Sequence, residues 1–195
     1  MGRYVMPRAV PVAGQLHRLG TTLRHHLPTD LMDIARDEAR HFLWLQDAMK
    51  QAGCQYGDLT AHSALWQDAH NTRHDLAGRL AVVPLVQEAK AMDAAPRHVE
   101  RLRSVGQPGA ARVVQQICDE ELGHVFKGVR WFAWLAQEQG HADVVAQFHD
   151  RVTAYIASPL RGPFNDTARA VAQMTPEWYL PLASPPFHQP RQLCS

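Results

Sequence analysis

Apolar residues recur at three- and four-residue spacing along most of the chain, and nowhere do they alternate with polar residues over a strand-length run. The first clear stripe, Leu31, Ile34, Ala35, Phe42, Leu45 and Met49, predicts a helix over 29–52, with Thr29 or Asp30 as N-cap and Gly53 as its stop. After a polar, Gly-containing stretch, "SALWQDAHNTRHDLAGRLAVVPLVQEAKAMDAA" reads as helical as far as Pro96, bent at Pro84, as one bent helix or two. A short helix is expected over His98 to Val105, and a long amphipathic one over 109–139 that ends at Gly140. "ADVVAQFHDRVTAYIA" supplies a fourth good helix before Pro159. The rest, rich in Pro and aromatics, is expected to wrap the helices, with one short helix near Asp166 to Gln173. The class is all-α, with helices packed side by side in one domain. How residues 53–72 cross from one helix to the next stays open between a short hairpin and a longer crossover with a small helix.

Three of these stripes are broken by charge. Glu121 and His124 stand three apart on the face that also carries Val114, Ile117, Gly128 and Trp131, and Glu38 and His41 repeat the arrangement midway along the 29–52 helix. Glu88 is the lone glutamate of the helix between them, beside Leu85, Val86, Ala89 and Met92. Burying such groups unpaired costs several kcal/mol each, so they must match one another or hold a cation. Two Glu-x-x-His helices with single glutamates from two others form the ligand set of di-iron and di-manganese helical bundles. With 12 His and seven Glu in 195 positions, chance gives roughly 0.4 Glu-x-x-His occurrences, and this chain has three. The third, Glu138 with His141, straddles Gly140 at a helix end, where the spacing no longer means a shared face. The competing reading is a salt-bridge and hydrogen-bond network of the same side chains.

Composition narrows the partners. The formal charge of +1 points to no nucleic-acid groove and no anionic membrane surface. Cys54, Cys118 and Cys194 are widely spaced without a C-x-x-C pair, which speaks against a disulfide framework and a thiolate zinc site. Pro7, Arg8 and Pro11 break up the N-terminal apolar residues, and there is no run of roughly 18 apolar residues, so a cytoplasmic protein with no membrane contact is expected. His70 and His74, at i, i+4, lack companions for a zinc site. His74 instead lies fourteen residues before Glu88, on nearly the same helical face, which would place it over the site. Phe42, Val86, Val125 and Trp131 are the expected walls of an apolar pocket.

"DEARH" at Asp37 to His41 resembles the Asp/Glu-Glu-x-Arg-His motif of soluble di-iron oxygenases and desaturases, and "EELGH" at Glu120 to His124 a looser second copy. Over a wider span, "DEARHF", "YGDLTAHSALW", "HDLAGRLAVVPLVQEAKAMD", "DEELGHVFKGVRWF" and "GPFN" resemble an uncharacterised bacterial family of ferritin-like proteins, domain of unknown function 455. The resemblance implies a ferritin-like helical domain over 27–182, between a divergent N-terminal segment, 1–26, and a loose tail, 183–195. It implies Glu38, His41, Glu88, Glu121 and His124 as ligands of two iron ions, or of manganese or a mixed pair, and Asp37 and Glu120 as acceptors that fix the histidine tautomers.

The chain departs from the family at one point. The template takes a first glutamate from a helix about thirty residues upstream of the first Glu-x-x-His, whereas Glu38 is the first glutamate here. The first bundle helix is therefore short, divergent or missing. A truncated start, replacement by His17, water or another copy of the chain, and loss of one metal or of catalysis are the competing explanations. The expected function is an oxidoreductase of hydroxylase or oxidase type acting with O₂ or peroxide on a small molecule, with a homo-oligomer completing the bundle. The alternative is a non-catalytic metal-binding or structural protein with an incomplete site.

Overall fold

The computed structural model describes the backbone of residues 21–184 and the side chains of residues 26–184. The order is α1 (Thr21–Gln51), α2 (Ala64–Asn71), α3 (Leu76–Leu80), a π-helical segment (Ala81–Gln87), α4 (Glu88–Ser104), α5 (Pro108–Glu138), α6 (Val144–Tyr155), α7 (Asp166–Val171) and α8 (Pro176–Tyr179), closed by a 3-10 turn (Leu180–Leu182). Among the described residues no strand forms, and one isolated bridge pairs Leu160 with Ala183. None of the described helices is long and apolar enough to cross a membrane.

α1 begins at Thr21 and runs through Pro28, so the expected cap at Thr29 or Asp30 is corrected, and residues 21–26 belong to the helix. Tertiary docking overrides the proline: Leu27 is fully buried, and Asp30, in place of capping, accepts from Trp131 Nε1 at 2.8 Å and pairs with Arg130 on α5. Residues 1–20, with His17 and most of the expected divergent segment, lie outside the described residues, as do residues 185–195 of the tail.

Residues 53–72 follow the longer alternative, an irregular stretch followed by the small helix α2. Of one bent helix or two from Ser63 onward, the structure takes two, separated at Thr72–Asp75, where Asp75 caps α3 by accepting from the Gly78 amide at 3.0 Å. Gly78 is required there because a Cβ would stand 2.4 Å from the Tyr155 ring of α6. Pro84 does not simply kink the helix; it lies inside a seven-residue π-helical segment. Pro96 does not end it either, and the short helix expected over His98 to Val105 is the last part of α4. The Met92 carbonyl, which the missing proline N–H leaves without a helical donor, faces Asn165 Nδ2 at 3.5 Å.

α5 is the central element, with α4 along one side and α1 along another, while α6 covers the π-helical segment and α5. Phe132, Phe148 and Trp178 stack edge to face or tilted at the core of that contact. The C-terminal stretch folds back over the helices, as expected, and meets α4 at Asp93. It is held by Leu160 N to Leu182 O and Ser184 N to Leu160 O, both 2.9 Å, and by a buried ion pair between Arg169 and Asp93.

Candidate metal centre

α1, α4 and α5 each direct glutamates or histidines into one gap. Glu38, Glu88, Glu121 and His124 each offer a ligand atom, all within 4.8 Å of one another. His41 joins them: its Nδ1 lies 3.3 Å from Glu38 Oε1 and 3.3 Å from Glu121 Oε1. His124 Nδ1 lies 2.9 Å from Glu121 Oε2 and 3.1 Å from Glu38 Oε1. The two Glu121 oxygens thus face different imidazoles, and both imidazoles turn Nδ1 to the centre. The i, i+3 spacing on α1 and α5 puts each Glu and His on one face, and apposition of those two faces makes the cluster.

The outer nitrogens are held by acids one residue before the cluster glutamates, and the pairing is exchanged between helices. Glu120 of α5 meets His41 Nε2 of α1 at 2.9 Å, and Asp37 of α1 meets His124 Nε2 of α5 at 3.4 Å. Arg40 joins the acids, with Nη1 2.9 Å from Asp37 and Nη2 2.5 Å from Glu120. Burial opposes ionisation of Asp37 and Glu120, yet hydrogen bonds from the histidines and Arg40 hold both carboxyls below their ordinary values.

Inside the gap the balance differs. Burial, followed by the negative charges of Glu121 and Glu38, pushes Glu88 up to about 9. Burial alone would lower His124, but its hydrogen bonds with Glu121 and Glu38 outweigh that and raise it to about 10. Burial likewise disfavours ionised Glu121, and the hydrogen bond from His124 overturns this and lowers it. Protons therefore occupy part of the space between these groups. Even so, Glu38 Oε1 and His41 Nδ1 are buried without a hydrogen-bond partner of suitable geometry, although His41 is only 3 % exposed. A cation set among three carboxylates and two Nδ1 atoms would serve both orphaned atoms, so the donor set fits one or two divalent ions of borderline or hard character.

All five ligands expected from the sequence meet here, together with Asp37 and Glu120. His74 sits exposed in the turn between α2 and α3, so the continuous helical register assumed between it and Glu88 is interrupted. The expected apolar pocket is corrected as well. Val86, Val125 and Trp131 are packed into the core, and Phe42 is exposed at the surface against Tyr56, ring centroids 5.2 Å apart. Among the described residues no fourth carboxylate joins the group, and Glu138 and His141 stay at the α5 terminus, as expected for that copy of the motif. Sequence reasoning missed Arg40 as the link between the two outer acids, although two charges three apart on α1, Asp37 and Arg40, were visible. It also missed the π-helical turn that ends immediately before Glu88.

The family described as "Protein of unknown function (DUF455)" matches residues 9–180. An uncharacterized protein of Haemophilus influenzae is 34% identical over 146 residues, which is 75% of this chain and 50% of that protein, so the chain spans about half the length of this relative. No solved structure matches.

Proposed function

Because the chain belongs to the family of proteins of unknown function DUF455, whose description supplies no reaction, we propose its function from the residues themselves: a ferritin-like di-metal carboxylate protein, with iron favoured. The observation that carries this reading is the pair of orphaned buried atoms, Glu38 Oε1 and His41 Nδ1, inside a ring of three carboxylates and two imidazoles. Both atoms stand 3.1–3.3 Å from charged neighbours without the alignment of a hydrogen bond, and a cation in the gap would satisfy them together. Glu121, with one oxygen facing His41 and the other facing His124, would be among the residues that hold the ions. Glu38 and Glu88 would hold the ions with His41, Glu121 and His124.

Iron held here would supply electrons for reduction of O₂ or peroxide, which makes the proposed class an oxidoreductase acting on a small molecule. The chain's own residues do the rest. Glu88 and His124 give up protons as the cations enter. Glu120 and Asp37 fix Nε2–H on the two imidazoles, so that Nδ1 carries the lone pair toward the ion. Arg40 keeps both outer acids ionised.

A second reading has its own support. Three carboxylates leave two divalent ions with an uncompensated positive charge, and the Glu38 side chain is 43% exposed. A protein that holds one ion, or uses the site structurally, fits that deficit.

The deciding measurement is metal content per chain by elemental mass spectrometry after anaerobic Fe(II) or Mn(II) loading. Near two ions in the wild type with a clear loss in Glu121→Ala is the expected result. One ion, lost in the variant, selects the second reading, and no ion in either chain removes every metal-binding reading and leaves a structural cluster.

A further inference from the structure

The metal face does not end at the metal. On α4 the stripe that carries Glu88 continues through Ala91 and Ala95 to His98, at i+3, i+7 and i+10, and on α5 the stripe of Glu121 continues backward through Cys118, Ile117 and Val114. Between these stretches, with Leu45 of α1 and Ala94 of α4 closing the sides, lies a cavity of about 260 Å³. Glu121 is the one charged side chain in its lining and belongs to the cluster; His98 lies among the exposed residues of α4. α1 and α4 both pack on α5, and it is the alanines on α4 that keep the gap between them open.

We propose that this cavity is the binding site for a slender apolar small molecule, a short aliphatic chain or a single ring, whose inner end meets the Glu121 side of the metal centre and whose polar end faces His98. The proposal rests on the metal reading above and adds the substrate class to it.

Three properties of the lining carry it. The walls are aliphatic or small, and the Cys118 thiol, pushed up by burial and then by the charges of Asp119 and Glu121, stays neutral. No Lys or Arg lines the cavity, so along its walls an anionic group would find no partner. The space is below the roughly 400 Å³ that one turn of a helix about 10 Å wide occupies, yet it exceeds the roughly 150 Å³ apolar cavity that accepts benzene. It therefore suits a small ligand better than a polypeptide segment. An apolar wall that runs directly into a charged floor also explains why α4 carries alanines here: larger side chains would close the path.

Fluorobenzene is a suitable probe, followed by fluorine NMR with the full chain, metal-free and Mn(II)-loaded. Saturable binding is expected in both forms, with strong broadening of the bound resonance by Mn(II), which places the probe beside the metal. Ala94→Phe fills the cavity from a half-buried position and should weaken binding by about tenfold or more, leaving Mn(II) uptake and the melting temperature unchanged. Absence of saturable binding, equal binding to the variant, or a bound probe untouched by Mn(II) would overturn the proposal. So would a change of sedimentation in Ala94→Phe, since the cavity would then be covered by a second copy of the chain. A chain that takes up Mn(II) but binds no probe keeps the metal reading and loses this one. A chain that binds the probe at a site sensitive to Ala94→Phe, yet takes up no Mn(II), keeps the apolar site and loses the metal reading.

Discussion

Two clusters of charge are buried in this molecule, and they are satisfied to different degrees. Under the C-terminal stretch, Arg169 and Asp93 are almost wholly enclosed. Every direction around them is used: Arg169 Nε and Nη2 donate to the two Asp93 oxygens at 3.0 and 2.6 Å, and Nη1 faces the Met174 sulfur at 3.2 Å. The guanidinium lies over the Tyr179 and Phe164 rings, and the Asn165 amide donates to Asp93 at 2.8 Å. The gap between α1, α4 and α5 holds more charge and leaves Glu38 Oε1 and His41 Nδ1 at ion-pair distance from their neighbours but without an aligned hydrogen bond. A buried ion pair that closes on itself is a clasp, fastening the returning chain to α4. A buried cluster that fails to close has been shaped for something it must still receive.

The clasp gives the largest effect. Removing one partner, as in Arg169→Met, leaves Asp93 charged in an apolar enclosure and should cost about 3–5 kcal/mol of stability by urea denaturation. The double variant Asp93→Leu/Arg169→Met should recover part of that loss, because no charge is then stranded. Metal content per folded chain should stay at the wild-type value in both. A loss of metal in the double variant would mean that the two clusters are coupled, and the contrast between them would fail.

The open cluster should respond to pH instead. Burial beside Glu121 and Glu38 raises Glu88 from 4.5 to about 9, so across that window the folded chain holds a proton that the unfolded chain has released. Its contribution to stability therefore falls as pH rises. Burial would lower His124, but hydrogen bonds with Glu121 and Glu38 raise it from 6.5 to about 10, so its contribution is full below 6.5 and lost as pH rises through 10. Both act in the same direction: urea midpoints of metal-free protein should fall from pH 6.5 to 9. Metal-loaded protein should resist the fall, since the cations take the places of the protons. Glu88→Gln keeps a neutral group at that position, so it should flatten the metal-free slope while lowering metal content. An unchanged slope in this variant would remove Glu88 from the account.

The cluster was more legible in the sequence than the clasp, for a physical reason. Spacing of three on a helix fixes a shared face without knowledge of what the helix packs on, so Glu38 with His41 and Glu121 with His124 could be read directly. Glu88 could be read because it interrupts an apolar stripe. Asp93 and Arg169 are 76 residues apart, and nothing local marks them as partners. The exchange of Glu120 to His41 and Asp37 to His124 depends in the same way on how α1 and α5 register against each other. The helix boundaries failed where tertiary contacts outweighed proline, at Pro28 and Pro96, and the bend expected at Pro84 is a π-helical segment. The cavity was missed because alanines carry no signal until the helices on either side are placed.

The smallest effect tests whether spacing or placement makes the motif. Glu138 and His141 repeat the same three-residue interval, but α5 ends at Glu138, the chain turns at Gly140, and neither residue joins the group of Glu and His side chains that could hold an ion. Glu138 is exposed and lies in the last turn, where a negative charge opposes the helix dipole. Glu138→Ala should therefore leave metal content untouched and move stability by less than about 0.5 kcal/mol, with any change toward greater stability. The same substitution at Glu121 is expected to abolish much of the metal uptake. If metal content fell equally in both variants, the ions counted would be bound by exposed acids in general, and the distinction between a centre enclosed by three helices and a chance recurrence of its spelling would collapse.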